Sequence, residues 1–61
     1  MKTRCRHCLA WIVFSRRETC WWHLDSGNVE CANPATVATR DATLPLMPLL
    51  AGDRARVEAA Q

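Results

Sequence analysis

A small β fold held together by a metal ion is the class this chain predicts, and three observations predict it. The chain has only 61 residues. At that length a hydrophobic core alone rarely holds a domain, and a disulfide, a metal or a partner is usually needed. Cys5 and Cys8 stand at C-x2-C spacing, with Cys20, His23 and Cys31 further along, a donor set suited to tetrahedral zinc. The third observation is a series of short apolar blocks, rich in β-branched and aromatic residues and separated by turn residues, as in antiparallel strands.

Taken in order, residues 1–8 read as a leading segment and a knuckle around Cys5 and Cys8. Residues 9–15 form the first predicted strand, with Leu9, Trp11 and Val13 on one face and Ala10, Ile12 and Phe14 on the other. Arg16-Arg17-Glu18-Thr19 is a polar turn, and residues 20–24 are a second strand. Asp25-Ser26-Gly27-Asn28 is the strongest turn signal: Asp opens a type I turn, and Gly accepts the left-handed conformation that closes a three-residue hairpin loop. Residues 29–31 return as a third strand, completing an antiparallel meander with the metal at one end.

Beyond Cys31 the character changes. Asn33-Pro34 breaks structure, residues 35–43 are small, polar and aperiodic, and Pro45 and Pro48 forbid a continuous helix through residues 44–50. Residues 54–61 are rich in helix formers, but so short a helix is marginal in water. The predicted organisation is therefore a metal module over residues 3–32 and a flexible, largely disordered tail over 33–61, with a proline-broken apolar segment and a weak terminal helix. All three Trp and the one Phe precede residue 23, which places the core in the module.

Charge and targeting signals narrow the class further. The formal net charge is +2, and its positive part is concentrated around the cysteine pair: Lys2, Arg4, Arg6, Arg16 and Arg17 all precede the first acid, Glu18. Three thiolates (−3) with one zinc (+2) would lower the total from +2 to +1, leaving a mildly positive field that permits phosphate contacts. The apolar run 9–14 is too short for a signal-peptide core and leads into Arg16-Arg17. Residues 44–51 are short and proline-broken, so no membrane span is expected. Without an export signal a reducing cytoplasm is the expected location, and there cysteines bind metal more often than they form disulfides.

Six side chains compete for four positions. Cys5 and Cys8 converge from one tight turn and form the first pair. Cys20 and His23 also have x2 spacing, but residues three apart in a strand point to opposite faces. Closing the hairpin with the loop Asp25-Ser26-Gly27 sets His23 opposite Val29 and Trp21 opposite Cys31, so His23 and Cys31 share a face while Cys20 points away. A four-residue loop would reverse that parity. The favoured set is Cys5, Cys8, His23 and Cys31 around one structural Zn2+, with Cys5, Cys8, Cys20 and His23 as the alternative. His7 lies inside the knuckle and is expected to be exposed.

These residues resemble the pattern C-x2-C…W-x-H-x-[DST]-[ST]-G-x3-C of short zinc-ribbon-like proteins from actinobacteria and their phages. The resemblance covers residues 5–31. It implies a zinc-ribbon-like fold with Cys5, Cys8, His23 and Cys31 as ligands and Trp21 as the packing aromatic, and it implies little about activity. Cys20 departs from the pattern, and the tail lies outside it.

A zinc ion with four protein ligands has no open position for substrate, so the expected role is non-enzymatic. A redox role for the Cys5–Cys8 pair would need a thioredoxin-like scaffold longer than this chain. Two binding surfaces remain. Arg4, Arg6, Arg16 and Arg17, with Trp11 or Trp22 as a stacking ring, suit nucleic acid, although a solvated basic face would look the same. Leu44, Leu46, Met47, Leu49 and Leu50 suit a protein groove, or could fold back over the module and cover its apolar face. The chain reads as a monomer.

Overall fold

The structure, a computed structural model that describes residues 1–60, has the expected fold class: a small three-stranded antiparallel sheet with a Cys/His cluster. The strands are β1 (Lys2–Arg4), β2 (Trp11–Ser15) and β3 (Cys20–His23), in the order β1-β2-β3, followed by one helix, α1 (Ala51–Ala60). β2 is central. Ile12 pairs with Thr3 and His23, Val13 with Lys2 and Trp22, Phe14 with Trp21, and Trp11 with Arg4.

The two-residue period of β2 and β3 then sorts their side chains into two clusters. Ile12 packs with Cys5, Cys31 and Ala38, with Trp21 against them. Val13 and Trp22 pack with Leu24 on the opposite face, joined by Trp11, Val29, Leu49 and Val57. The alternation expected across residues 11–14 is therefore present. Cys20, beside Trp21 in the strand, faces away from the first cluster, as strand parity requires.

The third strand is not the expected one. Residues 29–31 do not pair with β3. The loop after β3 has four residues rather than three: the His23 carbonyl accepts from Gly27 N at 2.8 Å, and the Asn28 carbonyl accepts from His23 N at 2.8 Å. Gly27 supplies the left-handed φ of 73° that the loop needs. The chain then turns away and makes its own narrow pairing. Glu30 bridges Val37, Ala38 N donates to the Val29 carbonyl at 2.7 Å, and Cys31 N donates to that of Thr36 at 3.0 Å.

The third strand is instead Lys-Thr-Arg at residues 2–4, a sequence with no strand signature of its own. Its polar side chains are accommodated individually. Thr3 is fully buried and donates to the Pro45 carbonyl at 3.1 Å. Lys2 Nζ and Arg4 Cζ lie 4.5 and 3.8 Å from the centre of the Trp11 ring, so cation–π attraction holds both cations there and supports the burial of Lys2.

Residues 33–59, expected to be flexible, run back along the sheet. Cys5 bridges Arg40 and Lys2 bridges Met47, the latter through reciprocal backbone hydrogen bonds of 2.9 and 2.7 Å. Leu49 and Val57 reach the Trp22 cluster. The apolar residues around Pro45 and Pro48 thus find partners in an extended conformation, where proline is tolerated.

α1 begins at an acidic anchor. Asp53, in its first turn, forms an ion pair with the buried Lys2 and accepts from Leu50 N at 3.4 Å, one half of a capping box. The Lys2 hydrogen bond is the main influence holding the Asp53 carboxyl below its ordinary 3.8. A carboxyl lowered on folding adds stability that is complete above its unfolded value and is lost as pH falls through the folded one. Asp53→Asn removes that contribution. Amide exchange across α1 is expected to be faster in the variant than in wild type at neutral pH, where the Asp53 contribution is complete.

Candidate metal centre

The knuckle is the loop of the β1–β2 hairpin. Cys5 N donates to the Ala10 carbonyl at 2.8 Å and Leu9 N to the Cys5 carbonyl at 3.0 Å, so five residues reverse the chain and bring Cys8 back over Cys5. Leu9 adopts φ 61° to make that turn, a conformation that costs a non-glycine residue about 1–2 kcal/mol. His23 enters from the end of β3, across from Ile12. Cys31 enters from the Val29–Ala38 pairing.

The donor atoms of Cys5, Cys8, His23 and Cys31 all lie within 4.8 Å of one another. Cys5 Sγ and Cys31 Sγ are 3.7 Å apart, and Cys31 Sγ lies 3.6 Å from His23 Nε2. A tetrahedral zinc ion with ordinary bond lengths gives edges of roughly 3.8 Å between sulfurs and roughly 3.6 Å between sulfur and nitrogen. A third pair, Cys8 Sγ and His23 Nε2, stands closer, at 3.1 Å. A disulfide would need sulfurs about 2.05 Å apart, and all four cysteines are free.

The surroundings suit a cation. His23 Nδ1 is 2.9 Å from the Asn28 carbonyl. A carbonyl only accepts, so Nδ1 carries the proton and Nε2 turns its lone pair toward the thiols, the arrangement that prepares histidine as a ligand. At Cys5, burial pushes the thiol up, but hydrogen bonds from the backbone of Cys8, Thr39 and His7 and from the Cys8 side chain bring it down to about 6. Its sulfur accepts from His7 N at 3.4 Å. Cys31 moves the other way. Its hydrogen bond with Thr36 lowers it, but burial and the Cys5 and Cys8 side chains outweigh that and raise it. Three thiols this close cannot all ionise by themselves, because each thiolate disfavours the next. A divalent cation removes the conflict.

Cys5 is fully buried, and His23 and Cys31 are 4% and 7% exposed. Cys8 is exposed and, with Ala10, His23, Asp25, Ser26 and Ala32, lines a cavity of about 320 Å³. Cys20 lies outside the cluster, with Sγ 3.8 Å from the Glu18 carboxylate, and His7 is exposed.

The four residues favoured from the sequence are therefore brought together, although by a different route. The observed loop has the length that would have turned Cys31 away had residues 29–31 continued as a strand. Cys31 reaches His23 because the chain leaves that strand at Asn28. The backbone groups that orient His23 and support Cys5 were missed, because a carbonyl or an N–H carries no side-chain signature.

The basic residues do not form one patch. Arg4 and Arg6 lie at the knuckle end of β2, whereas Arg16 and Arg17 lie in the turn at its other end, more than 10 Å away at roughly 3.3 Å per residue. Arg4 also donates to the Leu9 carbonyl at 3.2 Å. Nor are the expected stacking rings open: Trp22 is 4% exposed, and Trp11 carries Lys2 and Arg4. No helix among the described residues is long and apolar enough to cross a membrane. Comparison with protein-family models, curated proteins and solved structures finds no match to the chain.

Proposed function

We propose that the chain is a non-enzymatic binding module built on one structural Zn2+, and that its ligand is nucleic acid. The observation that carries the zinc reading is the convergence of Cys5, Cys8, His23 and Cys31 donor atoms within 4.8 Å. Three thiolates and one imidazole favour zinc over the harder divalent cations. Four protein ligands would leave no coordination position for a substrate, so the ion would act on stability. Such a site requires reduced thiols, consistent with a cytoplasmic location.

Nucleic acid is favoured by the exposed Arg16 and Arg17, carried in the turn that joins β2 to β3. The competing reading, a protein partner taken through residues 44–50, loses part of its surface. Leu49 packs into the Trp22 cluster, and Leu44 and Leu46 are half-buried, leaving Met47 and Leu50 exposed. A titration of zinc-loaded protein against mixed-sequence DNA and RNA at increasing salt tests the choice. Binding that weakens with salt, and weakens further in the Arg16→Ala, Arg17→Ala double variant, is the expected result. Binding unchanged in that variant would remove the basic turn from consideration.

A further inference from the structure

We propose that Phe14 is a stacking platform for an unpaired base, which makes single-stranded nucleic acid the ligand of this surface. The inference rests on the nucleic-acid reading above and adds a residue and a strand state to it. Phe14 is 44% exposed. It is the only exposed one among the Phe and Trp residues of the chain, although it sits in the central strand.

Its position is set rather than loose. Phe14 pairs across the ladder with Trp21, and the two rings meet edge to face, with centroids 5.5 Å apart and planes at 67°. Trp21 is itself anchored against Cys5, Ile12, Cys31 and Ala38, so the metal cluster is the foundation of the pair. An edge-to-face contact fixes one ring without covering both faces of the other. The remaining aromatics are committed elsewhere, Trp22 to the opposite core and Trp11 to Lys2 and Arg4.

Charge supports the same occupant. Arg16 follows Phe14 by two residues, at the start of the turn that leaves β2, and its long side chain can reach a phosphate flanking a base on the ring. The one acid of that turn, Glu18, turns its carboxylate toward Cys20, whose side chain is on the opposite face of the sheet from Trp21. A flat exposed ring with an exposed arginine two residues along the chain and the nearby acid turned toward Cys20 matches base stacking combined with phosphate neutralisation. An acidic peptide would use the cation and leave the ring without a role. A duplex would not offer its bases.

The test is fluorescence anisotropy of the zinc-loaded full chain with labelled mixed-sequence single-stranded DNA, single-stranded RNA and duplex DNA, alongside Phe14→Ala, Phe14→Trp and Arg16→Ala. Native mass spectrometry confirms one zinc in each variant. The expected result is tighter binding of single strands than duplex, with about 5- to 100-fold loss in Phe14→Ala and recovery in Phe14→Trp. Phe14→Ala should leave the salt dependence unchanged, while Arg16→Ala lowers its slope by about 0.7. Loss in Arg16→Ala with Phe14→Ala within twofold of wild type would overturn the platform and leave the nucleic-acid reading standing. Equal affinity for duplex would overturn the single-strand assignment. No binding to any nucleic acid, or equal binding to polyglutamate, would remove both.

Discussion

Chelating the metal is expected to unfold this chain: the β-sheet circular dichroism signal should disappear, and stoichiometric Zn2+ should restore it. The size of the effect follows from comparing the two sources of stability. Structural zinc contributes about 10–16 kcal/mol to folding in finger-sized peptides at neutral pH. Apart from the two cysteines, the buried apolar residues are Ile12, Val13, Trp22, Leu24 and Ala38, a core too small to offset the conformational entropy of the chain without help. Single substitutions identify the ligands. Cys5→Ser, Cys8→Ser, His23→Ala and Cys31→Ser are each expected to lose zinc and the sheet together, and Cys20→Ser to keep both, by native mass spectrometry and circular dichroism. Zinc and fold retained in Cys31→Ser but lost in Cys20→Ser would reverse the ligand assignment.

The second large effect lies on the opposite face of the sheet. Trp22→Ala is expected to cost about 3–5 kcal/mol, the range for emptying a buried aromatic site, measured by guanidinium unfolding of the zinc-saturated protein. Trp22 is 4% exposed and stands among Val13, Leu24, Val29, Leu49 and Val57, so its removal leaves α1 and the segment before it without their main apolar contact. The metal cluster does not touch Trp22, and zinc stoichiometry should remain at one. The variant therefore separates the two halves of the architecture: helical signal falls while the metal stays bound. A cost under about 1 kcal/mol would mean that the strap of residues 47–57 contributes no core.

The metal cluster was legible in the sequence because its chemistry is local. C-x2-C spacing fixes two ligands within one turn, and the opposite facing of Cys20 and His23 follows from strand geometry alone. The alternation of residues 11–14 was legible for the same reason. The position of Cys31 was a harder case: the residue that joins the cluster emerged from a loop length that the structure does not have. Gly27 marks a turn but not whether three or four residues make it, and one residue reverses the facing of everything downstream.

β1 could not be read from residues 2–4, because what makes Lys-Thr-Arg a strand is Trp11 on the neighbouring chain segment and Pro45 and Met47 far along the sequence. The return of residues 33–59 was hidden in the same way. Pro45 and Pro48 exclude helix, but they say nothing about whether an extended segment finds a sheet edge. The nucleic-acid surface changed most. Trp11 and Trp22 have more ring to offer than Phe14, and only burial and the cations on Trp11 show that neither ring is open.

The asymmetry of the four donors, with Cys5, His23 and Cys31 enclosed and Cys8 open, has a kinetic consequence. An incoming ligand approaching through the cavity beside Ala10 and Ala32 meets Cys8 first, while Cys5 and Cys31 stay sealed beneath Ile12 and Ala38. If Cys5, Cys8, His23 and Cys31 hold a zinc ion, Cys8 would be the one donor that a competing thiol could reach while the other three stay enclosed. Thermodynamic retention and exchange speed would then be separate properties of one site, the first set by its buried floor and the second by its single exposed edge.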